Sequence, residues 1–236
     1  MIFLAIILLS SLATLYFFDP FWKLANQQPE FPIKGNTVTC FGYLLQYDKY
    51  ESRTATIAAI RQYGAQLIVM EPTYTTQPAS WWTKEEIQQI KTSSPEKILI
   101  AYVSIGDAES YREYWNASWD SNKDGAPDQG APAWLDRENP DWKGNYKVKY
   151  WDPEWQSIIF GNPNSMIDRI MTQGFDGICM DIIDAFEYYF DQGIEDADKR
   201  MVDFVQKISN YTKSKQLDFL IVPQNGEALA QFPEYL

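Results

Sequence analysis

Carboxylates, not imidazoles, are the proton-moving groups of this 236-residue chain, which has 32 Asp and Glu and no histidine. Ser-His-Asp and Cys-His catalysis, His-ligated zinc and any imidazole acid or base are therefore excluded. Acid–base chemistry is left to carboxylates, Lys, Tyr or Cys. The acidic groups recur with polar neighbours directly after short apolar runs: Tyr43 and Gln46; Glu71; Ser104, Asp107 and Glu109; Trp151 and Asp152; Asp181 and Asp184; Asn225 and Glu227. The sharpest pattern is Gly174-Phe-Asp-Gly-Ile-Cys-Met-Asp181-Ile-Ile-Asp184, with Tyr188 and Tyr189 behind it. Its apolar lining is of the kind that raises a carboxyl pKa. Ile221-Val-Pro-Gln-Asn225-Gly-Glu227 supplies an amide and a second carboxylate. Two carboxylates facing across a cleft are what glycosidic cleavage needs: one protonates the leaving oxygen, the other acts as nucleophile or activates water. Asp181 and Glu227 are the candidate catalytic pair. For Asp107 and Asp152 a helix cap or first-turn acid is the competing reading.

These residues must be held by the apolar runs that precede them. Val38–Leu45, Gln66–Met70, Lys97–Ile105, Lys147–Trp151, Gly174–Ile183 and Phe219–Pro223 read as six strands. Amphipathic segments over Thr54–Tyr63, Thr83–Lys91, Glu154–Thr172 and Ala197–Lys213 read as helices between them. A Trp- and Pro-rich insertion runs from about Tyr111 to Asn145. Alternating strands and helices predict an α/β fold around a parallel sheet, with active-site residues gathered where strands end. Six units fit either a doubly wound sheet or an incomplete barrel, since a closed (β/α)8 barrel has eight units and typically ~250 residues.

Several ordered motifs resemble glycoside hydrolase family 114, the endo-α-1,4-polygalactosaminidase-like TIM barrels. They are Ala101-Tyr-Val-Ser-Ile-Gly-Asp-Ala-Glu-Ser-Tyr-Arg112, Lys149-Tyr-Trp-Asp152, the run from Gly174 to Asp184, and Gln224-Asn-Gly-Glu227. The family's Ser-x-Gly-x-x-Glu-x-x-Arg motif matches Ser104, Gly106, Glu109 and Arg112. Its strand-five aspartate matches Asp181, and its strand-six glutamate matches Glu227. The runs Asn139 to Asn145 and Tyr150 to Trp155 resemble a prokaryotic branch of it. The likeness spans residues 38–228. It implies a (β/α)8 barrel, here expected to stop after about six units, and a hydrolase of α-linked galactosamine-type or related polysaccharide. No cofactor is required for that catalysis. Beyond the pair, the expected substrate-binding residues are Tyr43, Glu71, Ser104, Asp107, Glu109, Arg112, Trp151, Asp152, Asp184, Tyr188 and Asn225.

A net charge of −12 argues against nucleic acid, whose binding relies on Lys and Arg, and favours a neutral or cationic substrate. Aromatics make up 16% of the chain, enough to offer Trp81, Trp82, Trp115, Trp119, Trp134 and Trp151 as platforms for sugar rings. The uncharged run of residues 1–18 is long enough for a signal-peptide core or a membrane anchor, so an extracytoplasmic location, secreted or anchored at the cell surface, is expected. Residues 19–36 read as a linker, and 37–236 as the barrel domain. Cys40 and Cys179, in apolar runs, are expected as buried free thiols, with a disulfide possible. Asp120-Ser-Asn122-Lys-Asp124-Gly125, with Asp128 in the ninth place, has calcium-loop spacing. The twelfth place is Ala131, so the bidentate carboxylate is missing, and an Asx-rich turn is an equal reading of a structural calcium site. The alternative to a hydrolase is a non-catalytic carbohydrate-binding barrel at the cell surface, and a third reading is a calcium-organised interaction module.

Overall fold

The computed structural model describes residues 31–76 and 78–235. Residues 1–18, and the signal or anchor expected there, lie outside them. Strands β1 (Phe31–Ile33) and β2 (Asn36–Val38) form an antiparallel hairpin. Then come β3 (Phe41–Leu44), helix α1 (Arg53–Gln62), β4 (Leu67–Met70), the antiparallel pair β5 (Thr73–Thr76) and β6 (Ala79–Trp81), α2 (Lys84–Lys91) and β7 (Ile98–Ser104). The strands β8 (Asp107–Glu109), β9 (Leu135–Glu138) and β10 (Asn145–Val148) follow. The rest is α3 (Pro153–Ile159), α4 (Met166–Gln173), β11 (Gly177–Asp181), α5 (Ala185–Asp191), α6 (Ala197–Lys215), β12 (Leu220–Pro223) and a 3-10 turn over Glu227–Gln231.

The centre is a five-stranded sheet ordered β12-β11-β7-β4-β3, and every pairing in it is parallel. Every residue of β4 and β11 is buried, the mark of parallel strands covered on both faces. Residues alternate between those faces. Ile68, Met70, Leu99, Ala101, Val103, Ile178 and Met180 enter the main core, shared with the helices. Leu67, Val69, Ile98, Ile100 and Cys179 form a smaller inner cluster with Tyr102 at its edge. The sheet is strongly curled. In a flat sheet the edge strands β3 and β12 would lie about 19 Å apart, yet the Tyr43 hydroxyl on β3 donates to Gln224 Oε1, just past β12, at 3.2 Å. The five strands form an open arc of a barrel.

Local chemistry explains the helix starts. Thr83 and Glu86 make a reciprocal capping box on α2, and Ser52 caps α1 by accepting from the Ala55 amide. Asp152 caps α3, with Pro153 in the first position, where its missing N–H costs nothing.

Four sequence expectations are corrected here. Lys147–Trp151 is not a barrel strand: β10, Asn145–Val148, pairs antiparallel with β8 and β9 in a separate three-stranded sheet. The arc therefore holds five parallel strands among the described residues, not six. The helix expected over Glu154–Thr172 is two helices, because Pro163, in the Gly161-Asn-Pro segment, has no N–H to carry the ladder across. Residues 31–36, expected as linker, belong to the folded body. Ile33 joins the inner cluster, and Lys34 pairs with Asp176 at 3.2 Å and Asp218 at 3.0 Å, across the base of the arc. Cys40 is exposed, because it precedes the edge strand β3; Cys179 is buried, and both thiols are free. No helix among the described residues is long and apolar enough to cross a membrane.

Candidate active site

The carboxylate ends of β4, β7 and β11 meet in one buried polar network. Asp181, the last residue of β11, accepts from the Tyr102 hydroxyl at 2.7 Å and from Asn225 Nδ2 at 3.1 Å. Burial pushes its carboxyl above the ordinary range, against the pull of the Tyr102 hydrogen bond. Among the described residues no Lys or Arg pairs with it. The backbone beyond is strained, since Ile182 has φ +59°, a conformation β-branched residues avoid. Gly106 sits against that bend; a Cβ there would lie 2.0 Å from the Ile182 carbonyl oxygen. This close approach explains why glycine follows the end of β7.

Beside Asp181, Arg112 joins Glu71 and Glu109. Its Nη2 donates to Glu71 at 3.1 Å, its Nη1 makes a shorter contact to the same carboxylate, and its Nε donates to Glu109 at 2.6 Å. Tyr111 donates to Glu109 through its hydroxyl. Burial opposes the charge on Arg112, but the two carboxylates hold its pKa well above the usual value. The charges of Glu109 and Asp181 both act on Tyr102, after burial, to raise its hydroxyl, so this phenol bridges the two clusters. A third group centres on Asp107, which accepts from Lys147 Nζ at 3.2 Å and from Asn139 Nδ2 at 3.3 Å. Asp184 lies near it; burial, then the charges of Asp181 and Glu187, raise its pKa to about 6 against the pull of Lys147.

The expected site residues thus divide. Asp181, Asn225, Glu71, Glu109 and Arg112 lie in contact networks at the mouth, with Asp107 and Asp184 beside them. Tyr43 spans the inner face to Gln224, which also accepts from the Cys179 thiol at 3.5 Å. Glu227 opens the 3-10 turn two residues beyond Asn225 and is exposed. Ser104 shapes the turn after β7, its hydroxyl donating to the Asp107 carbonyl at 3.0 Å. Tyr188 donates to Asp136 at 3.4 Å. Asp152 is engaged as the cap of α3, accepting from the Glu154 amide at 2.8 Å. Trp151 is not a free platform, for the Arg200 guanidinium lies over its ring at 4.8 Å. Arg169 lies over Trp81 at 4.6 Å, and Trp82 and Trp134 are buried core residues.

Sequence reasoning missed Tyr102, Tyr111, Asn139, Lys147 and Gln224. For Tyr102 a signal existed, because two-residue alternation along Ala101-Tyr-Val-Ser puts it on the face of Ser104. Lys147 and Asn139 reach Asp107 only through the antiparallel sheet, which no local pattern announces.

The calcium-loop residues serve the loop itself. Asp120 accepts from the amides of Asp124 and Gly125 at 3.1 and 3.0 Å and from the Tyr146 hydroxyl at 2.6 Å. Asn122 Nδ2 donates to Asp124 at 2.8 Å, and Asp128 accepts from Ser121 N and Oγ. Among the described residues, no group of three Asp, Glu, Cys or His converges to hold a metal ion. The Asx-turn reading is the one the geometry supports, because loop amides satisfy the carboxylates.

Comparison with known proteins gives this arrangement a context. The sequence profile of the glycoside-hydrolase family GH114 matches residues 27–234. An uncharacterized protein of Methanocaldococcus jannaschii is 40% identical over 189 residues, 79% of this chain and 51% of its own length. One of Thermotoga maritima is 36% identical over 198 residues, 82% of this chain and 57% of its own. The chain thus spans about half the length of these curated relatives. The glycoside hydrolase domain of PelA from Pseudomonas aeruginosa superposes with a TM-score of 0.53 at 13% identity, over 83% of this chain and 64% of that one. Eubacterium rectale Amy13B gives 0.50 at 13%, over 78% and 43%. At such identities these likenesses establish the fold, that of a TIM barrel, and nothing of the substrate.

Proposed function

The chain belongs to glycoside-hydrolase family GH114, and from that premise we propose that it hydrolyses an α-linked galactosamine-type or related polysaccharide with Asp181 and Glu227 as its two carboxylates. The observation that carries this reading is the setting of Asp181: buried at a strand end, without a cationic partner among the described residues, and held on both oxygens by Tyr102 and Asn225. The Tyr102 hydroxyl and the Asn225 amide each donate to one oxygen of this carboxylate and orient it, the Tyr102 bond working against the burial that raises its pKa. In this reading Asp181 faces the anomeric carbon as nucleophile or as base for water. Glu227, exposed and two residues beyond Asn225, protonates the leaving oxygen in this reading. Tyr102 and Asn225 fix the Asp181 carboxylate, and the Arg112 ion pairs stiffen the wall beside it. An acidic mouth on a chain of charge −12 favours neutral or cationic sugars over anionic ones.

An endo-acting, polygalactosaminidase-like specificity is the finer form of the proposal. The uncharged residues 1–18 support an extracytoplasmic location, secreted or surface-anchored, where a polysaccharide is met. The test is hydrolysis of α-1,4-linked galactosamine oligosaccharides by the unmutated chain, Asp181→Asn and Glu227→Gln. Each substitution should lower the rate by about 10²–10⁴ while the melting curve stays cooperative. Equal activity in either variant would remove that residue from the pair.

A further inference from the structure

We infer that the cavity at the mouths of β3 and β4 is a remote subsite for a hexose-sized unit of the polysaccharide, an inference that rests on the hydrolase reading above. The cavity has a volume of about 480 Å³, and its walls include Gln46, Tyr47, Asp48, Tyr50, Glu71 and Tyr74. That volume lies within the range of sites for small organic ligands. The strand order places β7 between β4 and β11, so the cavity stands about two strand spacings, ~10 Å, from Asp181. Asp181, Tyr102 and Asn225 are not among its walls. A sugar ring held there is therefore separate from the ring being cleaved, and only a chain occupies both.

The walls have the chemistry of sugar recognition. Tyr47 and Tyr74 lie nearly parallel, 5.9 Å apart at 20°, and Tyr74 packs edge-on against Trp82. Tyr47 is buried and the Arg53 guanidinium lies over the Tyr74 ring at 5.5 Å, so these rings give the cavity a fixed apolar floor rather than a free stacking face. Exposed Gln46 and Asp48 bring an amide and a carboxylate, which suit hydroxyl groups. One wall is preorganised. Glu71 is fixed by Arg112 and Thr73, and its carbonyl accepts from Tyr47 at 2.8 Å and from Trp82 at 3.1 Å. Through Arg112 this wall continues to Glu109 and so to the mouth beside Asp181.

The experiment is calorimetric binding of an α-1,4-linked galactosamine trimer and heptamer to the Glu227→Gln chain, with and without Asp48→Ala and Tyr50→Ala. Asp48→Ala alone, an exposed position, serves as the second variant, and thermal melting verifies folding. Loss of these contacts should weaken the heptamer about tenfold and leave the trimer unchanged. A heptamer bound equally by both forms, bound by neither, or weakened no more than the trimer overturns the inference. Hydrolysis by the unmutated chain is measured separately, so failure of the catalytic reading is told apart from failure of the subsite.

Discussion

Asp176 and Asp181 bracket the same strand, β11, and both are buried, yet the protein surrounds them in opposite ways. At the base, Asp176 accepts from Lys91 Nζ at 2.8 Å, Lys34 Nζ at 3.2 Å and the Leu99 amide at 3.0 Å. At the mouth, Asp181 meets a phenol and an amide and no cation among the described residues, with strained backbone just beyond it. A buried charge that is paired serves the fold; one left in low dielectric with neutral donors is a functional-site candidate, and this contrast supports the proposal for Asp181. The comparison separates the ion-paired base of the barrel from the mouth at which the proposed reaction is placed.

The strongest way to break it is to exchange charge for amide at both positions. Asp181→Asn should lower the hydrolysis rate about 10²–10⁴-fold and leave stability within about 1 kcal/mol. Asp176→Asn should do the reverse, costing about 3 kcal/mol in denaturant unfolding by taking the carboxylate from Lys91 and leaving Lys34 with Asp218 alone. Similar stability losses in both variants would end the contrast.

Gly106→Ala sharpens the mouth side. The added Cβ would meet the Ile182 carbonyl at 2.0 Å, so the bend after Asp181 must shift. A stability loss of about 1–3 kcal/mol should accompany a fall in activity. An unchanged rate would mean that this bend does not position Asp181.

A smaller effect is expected with pH. Burial raises the Asp184 carboxyl from 3.8 to about 6. The folded chain then binds more protons than the unfolded one between those values, so this group's contribution to stability falls as pH rises from about 4 to about 6. Asp184→Asn should flatten that part of the stability curve, which melting temperatures across the window would reveal. The smallest effect belongs to the Asp120 loop, whose carboxylates are already satisfied. Calcium or a chelator should leave the melting temperature unchanged, and a rise with calcium would reopen the metal reading.

The five parallel strands were legible because each is an apolar run of the right length, and their last residues because carboxylates repeat there. The expectation failed at Asn145–Val148, where alternating residues suit an antiparallel sheet as well as a barrel strand. Pairing depends on distant partners, here Asp107–Glu109 and Leu135–Glu138. The aromatic residues misled for a similar reason, since a ring that suits a sugar also suits a core, as Trp82 and Trp134 do.

From the sequence alone came the αβ alternation, the exclusion of imidazole chemistry, the helix starts and the carboxylates at strand ends, all set by local composition and spacing. The tertiary structure alone decided that Arg112 joins Glu71 to Glu109, that Tyr102 and Asn225 grip Asp181, and that Lys147 reaches Asp107. Those contacts join residues up to 79 positions apart. Only chain curvature and burial bring them together, and the same packing sets which buried carboxylate meets cations and which meets neutral donors.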